Sequence, residues 1–239
     1  MTNQSGWRAL SWTMTDLTSA CNGDTYVPVE VSTNNGDYRD LHRSVSRGPH
    51  RKFEAGVPVP LSFLAEHIQQ LEPAAQQVPT SYIRLSEGSS HAACHAEVLP
   101  QLADAVPVSP PFQEAAGRMH QRSVWLGPRG TQSPLHCDPY HNLLCQKDAQ
   151  VWGRKLVRLY SPSDAQRLFP FQDPFLRNTS QVDVLEPQPQ QFRDFEKVPY
   201  LHCQLEPGQM LFIPRKWWHF VQSLSGSLSI SYWWTDGDT

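Results

Sequence analysis

The sequence predicts a mainly β protein, an antiparallel sandwich or barrel with a few flanking helices, and three observations lead there. After Ser81 short apolar runs recur, YIRL, SVWLG, NLLCQ, KLVRLYSP, QMLFIP and SLSISYWW, separated by clusters of Pro, Gly, Ser and Asp. The 21 prolines suit a turn-rich β fold, because each removes a backbone donor and interrupts a helix. Helical spacing is found upstream, in PLSFLAEHIQQLEP.

In chain order, GDTYVPVEVS (23–32) is a β-branched run and reads as a strand. Residues 33–59 are polar and contain glycine, so a long excursion is expected there, including the locally basic loop RSVSRGPHRK (43–52). PLSFLAEHIQQLEP (60–73) places Leu61, Leu64, Ile68 and Leu71 on one helical face. The strand-forming runs follow, with EPQPQQF (186–192) as a biased loop among them. At 239 residues and 39% hydrophobic content the chain is long enough for one sizeable core and is read as one domain.

The formal net charge of −3 offers no overall positive field to hold nucleic acid or an anionic membrane. No 18-residue apolar run is present, so no membrane span is expected. The five cysteines (21, 94, 137, 145, 203) form no CxxC and are odd in number. Free thiols and an intracellular setting, nucleus or cytoplasm, are the expectation.

TQSPLHCDPYHN (131–142) is the first stretch that suggests chemistry. On an extended strand, His136 and Asp138 would face one side and Cys137 the other. An imidazole and a carboxylate can then share a cation, although His-x-Asp standing alone reads first as a surface turn beside Pro139. The candidate third ligand lies far downstream in EPGQMLFIPRKWWHFVQSL. Here Pro207-Gly208 makes a turn, Met210 to Ile213 a strand, Pro214 a break, and His219 sits in an aromatic strand. By itself His219 would be a hydrogen-bonded core residue. Two histidines and one carboxylate together form the facial triad that holds Fe(II) with open coordination positions. The Gly208-x5-Pro214-x4-His219 layout also suits a double-stranded jelly roll, which brings ligand-bearing strands to the barrel mouth.

Lys155 supplies a second signal. Alternation in GRKLVRLYSP puts it on one face with Val157 and Leu159, opposite Arg154, Leu156 and Arg158. An ammonium facing a core needs an anionic partner, because an unpaired buried charge costs several kcal/mol. A dicarboxylate cofactor would satisfy it; a strand-end lysine reaching water is the other reading.

With these residues in view, VWLGPRGTQSPLHCDPYHNLL, WGRKLVRLYSP, NTSQVDVLEP and LEPGQMLFIPRKWWHFVQSLSGSLSISYWW resemble the JmjC-domain Fe(II)/2-oxoglutarate oxygenases, in their protein-hydroxylase branch. The likeness covers nearly the whole chain and is weaker before residue 120. It implies a cupin-like jelly roll (double-stranded β-helix) with its core over about 120–235. The resemblance further leads us to expect one domain over 1–239 that lacks its N-terminal beginning, since WRALSW follows a strand and a helix in the family. His136, Asp138 and His219 match the iron ligands and the catalytic centre. Lys155 matches the lysine that pairs with the distal carboxylate of 2-oxoglutarate, with hydroxyls at Ser133 and Tyr82. Asn142 falls beside the chelating end of the cosubstrate, and Trp125 and Trp233 line the pocket. Glu30 falls where a carboxylate would face a basic substrate side chain; the family's aromatic that stacks on a guanidinium has no clear counterpart in STNNGDYRDLHRSVSR, where Tyr38 is the candidate substitute. Against these roles stands plain packing for Tyr82, Trp125 and Trp233, and a solvated strand end for Glu30.

Residues 147–150, KDAQ, read as an insertion between the asparagine and the lysine. Lys155 keeps its face only if that insertion is absorbed in a bulge or hairpin tip. The activity implied is Fe(II)-, 2-oxoglutarate- and O2-dependent hydroxylation of a protein or peptide with a basic side chain, arginine or lysine. N-methyl demethylation by the same chemistry is the alternative. A tRNA-modifying enzyme of the same family is a further one, as that branch shares the GP-x-G-T-x-S-P-L-H stretch, although the charge makes a nucleic-acid substrate unfavourable. A metal-dependent isomerase or dioxygenase of the wider cupin group would not require Lys155, and a pseudoenzyme binding module would not require the triad.

Overall fold

The computed structural model of the chain describes residues 13–31, 57–71, 81–85, 118–146, 153–174 and 176–236, with the backbone alone at 27–31, 57–59, 67, 71, 81–85 and 118. Eleven strands are described, with two α-helices. They are α1 (Met14–Ala20), β1 (Tyr26–Val31), β2 (Val57–Pro60), α2 (Leu61–Leu71), β3 (Ser81–Leu85), β4 (Arg118–Gly127), β5 (Gln132–Cys137) and β6 (His141–Gln146). There follow β7 (Lys155–Tyr160), β8 (Tyr200–Leu205), β9 (Met210–Ile213), β10 (Trp218–Ser223) and β11 (Ser227–Thr235), with 3-10 turns at Pro162–Leu168 and Phe195–Lys197.

The strands form a seven-stranded sheet in the order β2-β1-β3-β4-β11-β6-β9 and a four-stranded sheet in the order β5-β10-β7-β8. From β4 onward the chain alternates between them, apart from the successive strands β7 and β8, which both lie in the smaller sheet. That is the jelly-roll arrangement expected from the sequence. It brings β5, β7 and β10 of the smaller sheet over β4, β6 and β11 of the larger one, and the cleft described below lies between them.

Strand β11 runs between β4 and β6 and is buried along eight of its nine residues. Its alternation explains how a central strand can leave space beside it. Ser231 and Trp233 line the cleft, so Ser227 and Ser229 share that face, while Leu228, Ile230 and Tyr232 take the other. Small hydroxyls inside this wall keep volume open, and each has a partner: Ser229 donates to Gln146 Oε1 at 2.7 Å, Ser231 accepts from Trp125 Nε1 at 2.9 Å, and Ser227 meets Ser223 at 2.9 Å.

The other face of the smaller sheet is covered by the long connection from β7 to β8. Leu168, Val182, Val184, Phe192, Phe195 and Val198 from that connection pack with Leu135, Tyr160, Trp218 and Phe220 of the strands. EPQPQQF is a loop, as its composition predicts, yet its Phe192 is a buried anchor. The strand in 23–32 and the helix in 60–73 are observed as β1 and α2. The excursion at 33–59 is shorter than expected at its C-terminal end, where Val57–Pro60 pairs with β1 as β2. Helix α1 was not expected. It is marked by a capping box, with Thr13 Oγ1 accepting from the Asp16 amide at 3.2 Å and the Asp16 carboxylate accepting from the Thr13 amide at 2.6 Å.

Candidate metal centre

Strands β5 and β10 pair antiparallel with His136 directly opposite His219 and Cys137 opposite Trp218. Partners in an antiparallel pair share a face, so both imidazoles enter the space between the sheets, with ring centroids 4.2 Å apart. Cys137 is turned to the other side, where it packs against the cluster under the smaller sheet. Asp138 lies just past the end of β5, and its carboxylate returns to the imidazoles, 3.8 Å from His136 Nε2 and 3.7 Å from His219 Nε2. One ligand atom from each of the three lies within 4.8 Å of the others.

Both histidines are held in the same tautomer. His136 Nδ1 donates to the Pro134 carbonyl at 2.7 Å, and His219 Nδ1 donates to the Trp217 carbonyl at 3.0 Å. A carbonyl only accepts, so the proton is on Nδ1 and Nε2 keeps its lone pair toward Asp138. Burial pushes the His219 pKa down to about 4, with the neighbouring His136 acting in the same direction and Asp138 opposing. His219 is thus neutral near pH 7, the form that ligates a metal.

The triad opens on a cleft whose lining also includes Ser133, Asn142, Lys155, Trp125 and Trp233. Lys155, Val157 and Leu159 are all buried, the face that alternation predicts. Lys155 Nζ donates to Ser223 Oγ, directly opposite it on β10, at 3.3 Å. Burial pushes the ammonium down to about 8, and no carboxylate among the described residues pairs with it. Asn142 and Trp233 are register partners on β6 and β11. Asn142 Oδ1 and Trp233 Nε1 are buried without a hydrogen-bond partner. One cleft therefore holds a cation with no carboxylate partner and a buried donor, Trp233 Nε1, with no acceptor, beside a two-histidine, one-carboxylate set. A small dicarboxylate bound next to Fe(II) only accepts hydrogen bonds and fits the lysine and the indole N–H. Trp125 stands edge-on to Trp233 at 6.1 Å and completes that wall.

Glu30 and Tyr82 are register partners between β1 and β3, and Arg84, two residues on, is opposite Trp125. Tyr38 and the segment KDAQ lie outside the described residues. The two ends of that segment are tied together, since Gln146 Nε2 donates to the Gly153 carbonyl at 2.8 Å while Gln146 Oε1 accepts from Ser229. The φ of +72° at Gly153 suits glycine, and a Cβ there would overlap the Gly226 carbonyl. The glycine of the GRK stretch thus lets the chain enter β7 in the register that turns Lys155 inward.

Sequence reasoning did not find the Pro134 and Trp217 carbonyls, Ser223, Gln146 or Ser231. The carbonyls are two residues before each histidine, but their role depends on the side-chain rotamer. Ser223 requires the β7–β10 register. The alternating serines of SLSISYWW were a visible signal, one strand face too polar for a core.

A family model described as a cupin-like domain matches residues 2–239. The chain is 32% identical over 228 residues to lysine-specific demethylase JMJ30 of Arabidopsis thaliana, covering 94% of this chain and 46% of the relative. It is 49% identical over 113 residues to lysine-specific demethylase 8 of Xenopus tropicalis (47% of this chain, 25% of the relative). It is 44% identical over 111 residues to Jumonji C domain-containing protein 5 of Drosophila melanogaster (46% and 27%). The chain spans less than half the length of each of these relatives. With the jelly roll and the converging histidines on one side and a match along almost the whole chain on the other, the protein belongs to the cupin-like domain family.

Proposed function

We propose that this chain is an Fe(II)- and 2-oxoglutarate-dependent dioxygenase that hydroxylates a protein side chain, arginine or lysine. The observation that carries the reading is the placement of Lys155, an ammonium with no carboxylate partner, and Trp233, a buried N–H donor with no acceptor, in the cleft that also holds Asn142, His136, Asp138 and His219.

His136, Asp138 and His219 would hold the iron, with the two Nδ1–carbonyl bonds keeping the rings oriented. Lys155, supported by Ser223, would pair with the distal carboxylate of 2-oxoglutarate, with Ser133 and Tyr82 assisting it. Trp233 Nε1 and the side-chain amide nitrogen of Asn142 would donate to its chelating end. Trp125 and Trp233 exclude water from that wall. The chemistry supplied by iron with 2-oxoglutarate and O2 is insertion of one oxygen atom into a substrate C–H bond, coupled to formation of succinate and carbon dioxide. Glu30 and Tyr38 are assigned to the basic side chain of the substrate.

A second reading, removal of an N-methyl group, is favoured by the names of two relatives, both called lysine-specific demethylases. The chemistry is the same up to the hydroxylated carbon, which on an N-methyl group is lost as formaldehyde. Incubation of the protein with Fe(II), 2-oxoglutarate and arginine- or lysine-containing peptides, methylated and unmethylated, separates the two. Gain of one oxygen atom on an unmethylated peptide supports hydroxylation. Formaldehyde from methylated peptides alone contradicts it in favour of demethylation.

A further inference from the structure

The stretch NTSQVDVLEP has no role in the site as described so far, yet its first residues touch the ligand strand. Strand β5 is the edge of the smaller sheet, with β10 on one side. Its other side is closed by residues 178–180. The Cys137 amide donates to the Asn178 carbonyl at 2.8 Å, the Ser180 amide donates to the Leu135 carbonyl at 2.8 Å, and Thr179 is bridged to His136. The Asn178 side chain adds a third bond, its Nδ2 donating to the Cys137 carbonyl at 3.1 Å. Asn178 thus holds both the amide and the carbonyl of the one residue between two metal-ligand candidates.

That placement matters because Asp138 is beyond the strand. The peptide joining Cys137 to Asp138 is the pivot that decides where the carboxylate goes. It is fixed by Asn178 Nδ2 on the Cys137 carbonyl, and the peptide that follows Asp138 is fixed by the Lys216 amide, which donates to the Asp138 carbonyl at 2.8 Å. The clamp is itself anchored. Thr179 and Ser180 are buried, the Phe171 amide donates to the Thr179 carbonyl at 2.9 Å, and Ser180 Oγ donates to the Leu168 carbonyl at 2.6 Å. The Thr179 hydroxyl donates to Asn178 Oδ1 at 3.5 Å, which turns Nδ2 toward Cys137.

We propose that Asn178 is a positioning residue for the metal centre: its side-chain amide, bonded to the Cys137 carbonyl, sets the distance and angle of the Asp138 carboxylate relative to His136 and His219. The inference rests on the metal-binding part of the proposed function. Ligating groups need placement within about 0.5 Å, and loss of a group that orients a ligand costs about 10- to 100-fold in metal affinity.

The test uses Co(II), whose visible spectrum reports coordination geometry without any turnover. Wild type, Asn178→Ala and Ser180→Ala are titrated with Co(II) and melted in parallel. Asn178→Ala keeps the backbone bond to Cys137 and removes only the side-chain bond; Ser180→Ala removes an outer anchor of the clamp and leaves Asn178 in place. The expected result is a weakening of Co(II) binding by ten-fold or more with altered visible bands for Asn178→Ala, and for Ser180→Ala a lower melting temperature with the bands of wild type. Wild-type affinity and bands in Asn178→Ala overturn the proposal, as do identical losses in the two variants. Absence of Co(II) binding by wild type overturns the metal reading itself, and so is distinguished from failure of this inference alone.

Discussion

His136 and His219 face each other across an antiparallel strand pair, each with its Nδ1 bonded to the carbonyl two residues upstream. The pairing makes metal binding a property of the β5–β10 ladder, because both rings are delivered by one register. His219→Ala is expected to abolish tight Co(II) binding. In wild type a saturating metal should raise the unfolding free energy by about 2.7 kcal/mol at a hundred times its dissociation constant. Thermal melts with and without metal check this; equal metal-induced shifts in wild type and His219→Ala would refute it.

Lys155 gives a stability prediction with a defined sign. Its pKa is lowered from 10.5 to about 8 by burial, so between those values the unfolded chain binds the extra proton and stability rises with pH. Below about pH 8 the buried ammonium costs the fold on the order of 3 kcal/mol. Lys155→Met should therefore be more stable than wild type at pH 7, by roughly 1–3 kcal/mol, and the gain should vanish as pH rises through 8 to 10.5. The same variant should lose 2-oxoglutarate binding. Denaturant melts across that pH range and calorimetric titration with 2-oxoglutarate measure the two effects.

Trp233 separates recognition from packing. Its Nε1 is buried without a partner, while its ring packs against Trp125. Trp233→Phe keeps an aromatic ring and removes the unsatisfied donor. The protein should melt at or above the wild-type temperature, and 2-oxoglutarate should bind about 5- to 30-fold more weakly, the loss of one hydrogen bond. A fall in stability with unchanged affinity would assign Trp233 to packing alone.

Gly153 ties backbone conformation to the site. With φ at +72° and the Gly226 carbonyl against the position of a Cβ, Gly153→Ala should cost about 2 kcal/mol or more. Because Gly153 sets the entry to β7, the apparent KM for 2-oxoglutarate should rise more than kcat falls. Steady-state kinetics in a stabilising buffer check the split.

The sandwich was legible because β4, β6, β7, β9 and β11 carry apolar residues bounded by turn formers, and the inward Lys155 followed from simple alternation. Strand β8 was not, since Tyr200, Leu201 and His202 are exposed at the sheet edge and show no burial period. Helix α1 is seven residues long, too short for periodicity, and only its capping box marks it. Strand β2, VPVP, was concealed by two prolines that its edge position tolerates. In the site, the triad residues carried a readable motif. The groups that hold them did not, because Ser223, Asn178 and the Trp217 carbonyl meet their partners only through the register of non-local pairs. The register shift between His219 and Val221 on β10 leaves no local signal.

Succinate formation reports whether one cleft binds Fe(II) and 2-oxoglutarate for oxidation chemistry. Purified protein with Fe(II), 2-oxoglutarate and O2 should release succinate even without its protein substrate, through uncoupled turnover. His136→Ala and Lys155→Ala should both be inactive. Full succinate production by Lys155→Ala would contradict the assignment of the cosubstrate site, and silence of the wild-type protein, with neither metal nor 2-oxoglutarate bound in calorimetry, would contradict the oxygenase reading as a whole.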